Sequence, residues 1–344
     1  MIMPMTSLKY LRRLYFQRKA SLLLRQSAPT KRSLNSLDYE DLFPTLTIAV
    51  VGDTDYFLPY AQHLTLALKT LGVTAFCTES LDGVSAHVGN EMLNGIIVIG
   101  PHHHPMRLYK KRFKKVLLAA INTEQIPLFE HGGYAYGKKR LADFLIWAPH
   151  YDLIFEWSRL TAIRLREFGF PVRHCVHGGF DFHEPKESEN KKYDLLFLGS
   201  LGALKKRRKK IINELSKDFS SHPGTYGAWG YEKAKAYRES ALVLNLHAEN
   251  STMFESPRFF EALSLGNMIV SEPVQDSFPF TPGVHYASSI VISLRKDLVT
   301  LLSKPDRIWK FRQSGYSRAR EFSIEKVAEE LLGAVVMRHY EING

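Results

Sequence analysis

From Leu46 onward the chain alternates short apolar runs with amphipathic stretches, and this alternation constrains the fold more than any other feature. Leu46-Thr47-Ile48-Ala49-Val50-Val51 reads as a buried strand ended by Gly52-Asp53, and Tyr60 to Leu71 as a helix stopped by Gly72. Thr74-Ala75-Phe76-Cys77 and Gly95-Ile96-Ile97-Val98-Ile99-Gly100 supply further strands. Apolar strands separated by helices fit a parallel, doubly wound sheet, because parallel neighbours need a long crossover. A helix is expected after Pro105, with Tyr109, Phe113, Val116, Leu117 and Ala120 on one face and Arg107, Lys110, Lys111, Lys114 and Lys115 largely on the other. Tyr151 to Phe155 reads as a strand, Ser158 to Phe168 as a helix, and Pro171 to Val176 as a strand leading to His177-Gly178-Gly179-Phe180-Asp181.

The pattern restarts at Tyr193-Asp194-Leu195-Leu196-Phe197-Leu198, followed by the tight loop Gly199-Ser200-Leu201-Gly202 and a helix from Lys205 to Phe219. Two α/β halves are therefore expected, 46–182 and 193–325, joined by the polar segment 183–192 and preceded by a basic tail, 1–45. Ser323 is placed to cap a final amphipathic helix from Ile324 to Tyr340, and 326–344 is assigned to it. No sequence repeat relates the halves.

At 344 residues, 45% hydrophobic and 24% charged, the chain has the make-up of a globular protein with room for two cores. No apolar run approaches the roughly 20 residues that span a bilayer, and Ser21-Leu22-Leu23-Leu24 is too short for a secretory signal core. Cys77 and Cys175 provide neither a disulfide framework nor metal-ligand spacing, and read as inert buried thiols in a reducing, cytoplasmic setting. The net charge of +11 favours an anionic partner: nucleic acid, acidic lipid or a phosphorylated substrate. Residues 1–34 hold eight bases and no acid, which suits either a solvated tail or a peripheral helix on an anionic membrane surface.

The stretch Phe254 to Gly266 carries the densest local information. Ser256 is a suitable N-cap, Pro257 suits the first helical position, and Gly266 stops the helix before the strand Met268-Ile269-Val270. The apolar run Ala241 to Leu246 lies just upstream, so strand, polar loop and helix N-terminus form an anion site, whose free N–H groups and dipole favour negative charge. Arg258 and Glu261 share one face, a cation for phosphate beside a carboxylate for hydroxyl groups. An ordinary αβ unit with surface charges is the competing reading.

Asn245-Leu246-His247, Pro257-Arg258-Phe259-Phe260-Glu261-Ala262-Leu263 and Gly266 together resemble the C-terminal signature of GT-B glycosyltransferases. They are most similar to the spore-maturation-protein-like branch of the glycosyltransferase group 1 clan. The resemblance spans roughly 150–335 and is looser over the N-terminal half. It implies an α/β fold of two Rossmann-like, doubly wound domains facing a cleft, with the last helix crossing back to the first domain. The implied activity is transfer of a sugar from a nucleotide-sugar donor to a glycan, lipid-linked or protein acceptor. The donor is a substrate, so no cofactor is called for, and no Asp-x-Asp metal motif of the GT-A kind is assigned, which favours a metal-independent reaction.

The resemblance also distributes roles. Lys205-Lys206-Arg207-Arg208-Lys209-Lys210 follows the glycine loop as the donor-diphosphate segment does in that clan, which nominates Gly199, Ser200, Lys205, Arg207 and Arg208 together with Asn245, His247 and Arg258. Read without the resemblance, the same six bases are a nucleic-acid patch, made less apt by the lack of interleaved aromatics. Trp229, like Tyr226, either stacks on the nucleobase or packs in the core. His131, in the loop His131-Gly132-Gly133, is either a backbone-bonded loop residue or a group that approaches the transferred sugar as hydrogen-bond partner or general base. His102-His103-His104 reads as a polar loop, since neighbouring strand residues point to opposite faces and do not converge on one ion.

One departure stands out. Many clan members pair two glutamates eight positions apart, the first near the donor sugar and the second near the ribose. Glu261 fits the second, but Met253 occupies the first position, and Met is a poor acceptor. Glu255 substitutes from the loop, or no carboxylate acts there, or catalysis is lost. The rival readings are thus a non-catalytic GT-B-like binding or scaffold protein and a basic nucleic-acid-associated protein.

Overall fold

The computed structural model describes residues 46–52, 57–88, 93–103, 112–113, 115–124, 126, 135–187, 191–201, 206–222, 230–247 and 252–343. The chain divides into two compact units, Met1–Cys175 with Glu325–Gly344, and Val176–Ile324.

In the first unit the sheet order is β2-β1-β3-β4-β5-β6, all parallel. Its strands are β1 (Thr47–Gly52), β2 (Thr74–Thr78), β3 (Gly95–Ile99), β4 (Leu117–Asn122), β5 (Leu153–Glu156) and β6 (Val172–His174), and its helices are α1 (Leu58–Thr70), α2 (Leu81–Val88), α3 (Ala135–Trp147) and α4 (Arg159–Glu167). β1, β3 and β4 are central strands with almost no exposed residue, which is why they read as unbroken apolar runs. Ser158 accepts from Thr161 N at 3.3 Å and fixes the start of α4 as the sequence implied.

One expectation fails here. Leu117 and Ala120, assigned to the apolar face of a helix, lie in β4, six fully buried residues paired with β3 and β5. Leu117-Leu118-Ala119-Ala120-Ile121 satisfies helical spacing only because every residue in it is apolar. Such a run is equally a central parallel strand, and two neighbours decide in favour of the strand. Residues 104–111 and 114 lie outside the described residues, and Lys115 is exposed in a turn. The last helix, α10 (Ile324–Asn343), belongs with this unit from Glu325 onward; Arg338 Nε donates to Asp152 O at 3.1 Å.

The second unit holds a parallel sheet of order β10-β9-β8-β7, from β7 (Tyr193–Leu196), β8 (Ser240–Asn245), β9 (Met268–Ser271) and β10 (Ala287–Ser288). Helices α5 (Lys206–Leu215), α6 (Gly230–Glu239), α7 (Ser256–Ser264), α8 (Val291–Leu302) and α9 (Pro305–Glu321) cover it. Residues 183–187 pack on this unit: His183 N donates to Ser264 O at 2.9 Å, and Arg312 Nη1 reaches Lys186 O at 3.2 Å.

From β7 the chain passes through α5 to Ser221, which bridges Leu195 on one side of β7, and then through α6 to β8 on the other side. The strand order therefore reverses between β7 and β8. The carboxyl ends of two such strands border the crevice where open α/β sheets take ligands.

Candidate donor site at the switch point of the second unit

Helix α7 is seated by its aromatic face. Phe259 stacks edge-on with Phe254 and Tyr286 at 4.7 and 4.9 Å, and Phe260 meets Phe280 at 4.9 Å. Burying two such side chains contributes roughly 2–3 kcal/mol each, enough to fix where the helix begins. Gly266, at φ +68°, ends the helix in the left-handed conformation that glycine adopts freely. The start differs by one residue from the expectation: Glu255 holds the N-cap position, and Ser256 is the first helical residue, buried, its Oγ without a hydrogen-bond partner among the described residues. A serine before Pro257 has the cap composition, but Glu255 is drawn to the terminus by two arginines.

Those arginines meet at the switch point. Arg258 Nη1 donates to Asn245 Oδ1 at the end of β8, and Nη2 donates to Leu198 O just beyond β7 at 3.1 Å. One side chain thus ties together the two strand ends. Arg208, buried on α5, donates from Nε to Leu246 O at 2.8 Å. The Glu255 carboxylate bridges the pair, 2.8 Å from Arg208 Nη2 and 2.6 Å from Arg258 Nη1. Both guanidinium carbons stand 5.5 Å from the centroid of the Phe197 ring, a cation–π arrangement that holds them apart and oriented. Gly199 makes this approach possible: a Cβ there would lie 2.7 Å from the Phe197 ring and 3.2 Å from Arg258 Nη2.

Arg207, one residue before Arg208 and about 100° round the helix, turns to a different carboxylate. It forms a bidentate pair with Glu272, which also accepts from His247 N at 2.7 Å, and it donates to His247 O at 3.1 Å. The hydrogen bond to Glu272 holds the guanidinium above its ordinary pKa. His247 is buried, with Nε2 donating to Pro273 O at 3.1 Å, and Asn245 donates from Nδ2 to Ser271 Oγ at 2.9 Å. Asn245 and His247 therefore act here as supports that aim Arg258 and Glu272.

One turn beyond Arg258, Glu261 accepts from Lys233 Nζ at 2.6 Å and Tyr237 Oη at 3.3 Å. His177 lies buried between Phe180 and Phe260, its Nδ1 donating to Gly178 O at 2.8 Å. Burial pushes its pKa down to about 4, so the ring is neutral at physiological pH.

The structure thus brings Gly199, Arg208, Asn245, Glu255 and Arg258 into one network and places Arg207 with His247 and Glu272 beside it. Ser200 follows Gly199 in the same loop. His131, Lys205 and Trp229 lie outside the described residues. Phe197, Lys233, Tyr237 and Glu272 were missed. Lys233 and Tyr237 stand four apart on the helix before β8, and Glu272 directly follows β9, so both signals were present in the spacing. Among the described residues, no group of three or more His, Cys, Asp or Glu side chains is placed to hold a metal ion. Also among them, no helix is long and apolar enough to cross a membrane. Cys77 is half-buried, not fully buried as expected, and burial raises the thiols of both Cys77 and Cys175.

The architecture is GT-B. The chain superposes on sucrose-phosphate synthase of Thermosynechococcus elongatus with TM-score 0.60 and 12% identity over 86% of this chain and 99% of that one. HepE of Anabaena, solved with UDP and glucose, gives TM-score 0.54 and 11% identity over 85% and 100%. TarM gives TM-score 0.51 and 10% identity over 70% of this chain and 54% of that one, so this chain spans about half of TarM. Within the sequence, residues 197–333 match the family described as Glycosyl transferase-like, a span that begins at Phe197 and contains every residue of the switch-point network. A comparison with curated proteins gives no match.

Proposed function

We propose that the chain is a glycosyltransferase that moves a sugar from a nucleotide-sugar donor to a glycan, lipid-linked or protein acceptor, without a metal ion. Its relatives on the Pro257–Gly266 motif are the spore-maturation-protein-like branch of the group 1 clan. The observation that carries this reading is the pair Arg208 and Arg258, fixed at the switch point beside the N-terminus of α7. HepE, which shares the fold, is solved with UDP-glucose.

In this reading the donor diphosphate lies against Arg208, Arg258 and Lys205, with the Gly199–Ser200 loop allowing its close approach. Asn245 and His247 hold the strand ends, and Arg207 holds Glu272. Glu261 takes the ribose hydroxyls, and Trp229 takes the base. As the glycosidic bond to the diphosphate breaks, negative charge grows on the leaving oxygen. Cations already locked by Leu198 O, Asn245 and Leu246 O stabilise that charge without reorganising. His131 and Glu255 act at the sugar, His131 as hydrogen-bond partner or base.

Incubation with a panel of sugar nucleotides tests the reading by release of nucleoside diphosphate. Release by the wild type, lost in Arg258→Gln, supports it. Nucleotide binding without release from any donor would favour the non-catalytic reading. One observation favours that second reading: Met253 stands in the first glutamate position while Glu255 is engaged by both arginines.

A further inference from the structure

The basic run is divided by its helix. Arg207 and Arg208 turn to the switch point, whereas Lys206, Lys209 and Lys210 of α5 are exposed. The function proposed above uses none of these three lysines. Lys206 and Lys210 share a stripe with Glu214 and Lys217 at helical spacing.

That stripe adjoins α8. Arg295 Nη2 bonds Asp218 Oδ1 at 2.6 Å, and Arg295 and Lys210 both act on Glu214, whose acidity their charge increases after the nearer Lys217. The inner face of α8 buries Leu294, Leu298 and Leu301. Its outer face carries Ile292, Arg295, Lys296 and Val299 at i, i+3, i+4 and i+7, continuing from exposed Ile290 and Val291. Ile292 is 95% exposed and Val299 55%. A β-branched aliphatic side chain left almost wholly in water gains nothing for the fold, and a cluster of them marks a surface that meets something else.

We propose that the outer face of α8 with the lysine stripe of α5 docks the protein on a bilayer of acidic lipid. Ile290, Ile292 and Val299 enter the headgroup boundary, while Lys206, Lys210 and Lys296 face the lipid phosphates. Exposed apolar residues with lysines on the same helix and on the adjoining one match that surface on both counts. A nucleic acid would be met by stacking aromatics, which this face lacks. A second copy whose two-fold axis passes through this stripe would bring its lysines against their own images.

The test is sedimentation of the full chain with phosphatidylglycerol-containing vesicles and with pure phosphatidylcholine vesicles. Binding is expected only to the acidic vesicles and falls with added salt. Ile292→Ser weakens it about tenfold, and Lys206→Gln with Lys210→Gln weakens it more than tenfold, with unchanged thermal melting in both. Acidic-vesicle binding that is equal in wild type and variants would assign the membrane to the basic tail and overturn the proposal. So would an absence of vesicle binding, or a concentration-dependent dimer that Ile292→Ser dissociates.

Discussion

Arg208 Nη2 lies 2.8 Å from Glu255 Oε1, and this bond ties helix α5 to the residue at which α7 begins. Because Glu255 also pairs with Arg258, its charge offsets the repulsion between the two guanidiniums. Glu255→Gln retains the shape and removes the charge. Stability should fall by about 2 kcal/mol and the melting temperature by about 5 °C. In transfer assays the same variant should lower turnover with little change in nucleotide affinity, since Leu246 O, Asn245 and Leu198 O still hold the two guanidiniums. Unaltered transfer would remove Glu255 from the reaction.

Glu261 and Lys233 give a second expectation. Their 2.6 Å bond fixes the carboxylate on α7 from the neighbouring helix α6. Glu261→Gln should weaken a ribonucleotide about tenfold and leave its 2′,3′-dideoxy counterpart nearly unchanged. Lys233→Met should cause a smaller loss of the same selectivity, because it frees the carboxylate without removing it. Calorimetry with the two ligands checks both; equal losses for both ligands would detach Glu261 from the ribose.

Glu156 gives a pH dependence in the first unit. It ends β5 fully buried, accepting from Asn122 Nδ2 at 2.6 Å and Ser158 N at 2.9 Å. Burial raises its pKa from 4.5 to about 7, against the lowering effect of those two bonds. The folded state therefore keeps a proton that the unfolded state loses above pH 4.5. Its stabilising contribution is complete below pH 4.5 and is lost as pH rises through 7, by about 3 kcal/mol. Denaturation measured from pH 5 to 8 should show this decline, and Glu156→Gln should flatten it. A slope that survives the substitution would place the titration elsewhere.

The fold was legible wherever a strand or helix had a clear end. Gly52, Gly72 and Gly266 punctuate the pattern, and Pro257 locates α7 to within a residue. Leu117–Asn122 was not legible, because a uniformly apolar run fits both helical and strand periodicities until its neighbours are known. At the site, Arg258 and Glu261 followed from helical spacing. The partition of the basic run did not: Arg207 and Arg208 are adjacent in sequence, and only the positions of Glu272 and Glu255 send them to different carboxylates. Phe197 escaped notice because a strand aromatic reads as core, whereas here its face also carries two cations.

Arg208 and Arg258 make the switch point of the second unit the proposed diphosphate site. Its most direct test is calorimetry of a nucleoside diphosphate and of the matching nucleoside, with wild type and with Arg258→Gln. Loss of a charge-assisted contact is worth about 1.5–3 kcal/mol, or roughly 10- to 150-fold. That loss is expected for the diphosphate and almost none for the nucleoside. Equal losses for the two ligands, or a diphosphate that binds Arg258→Gln as tightly as wild type, would contradict it.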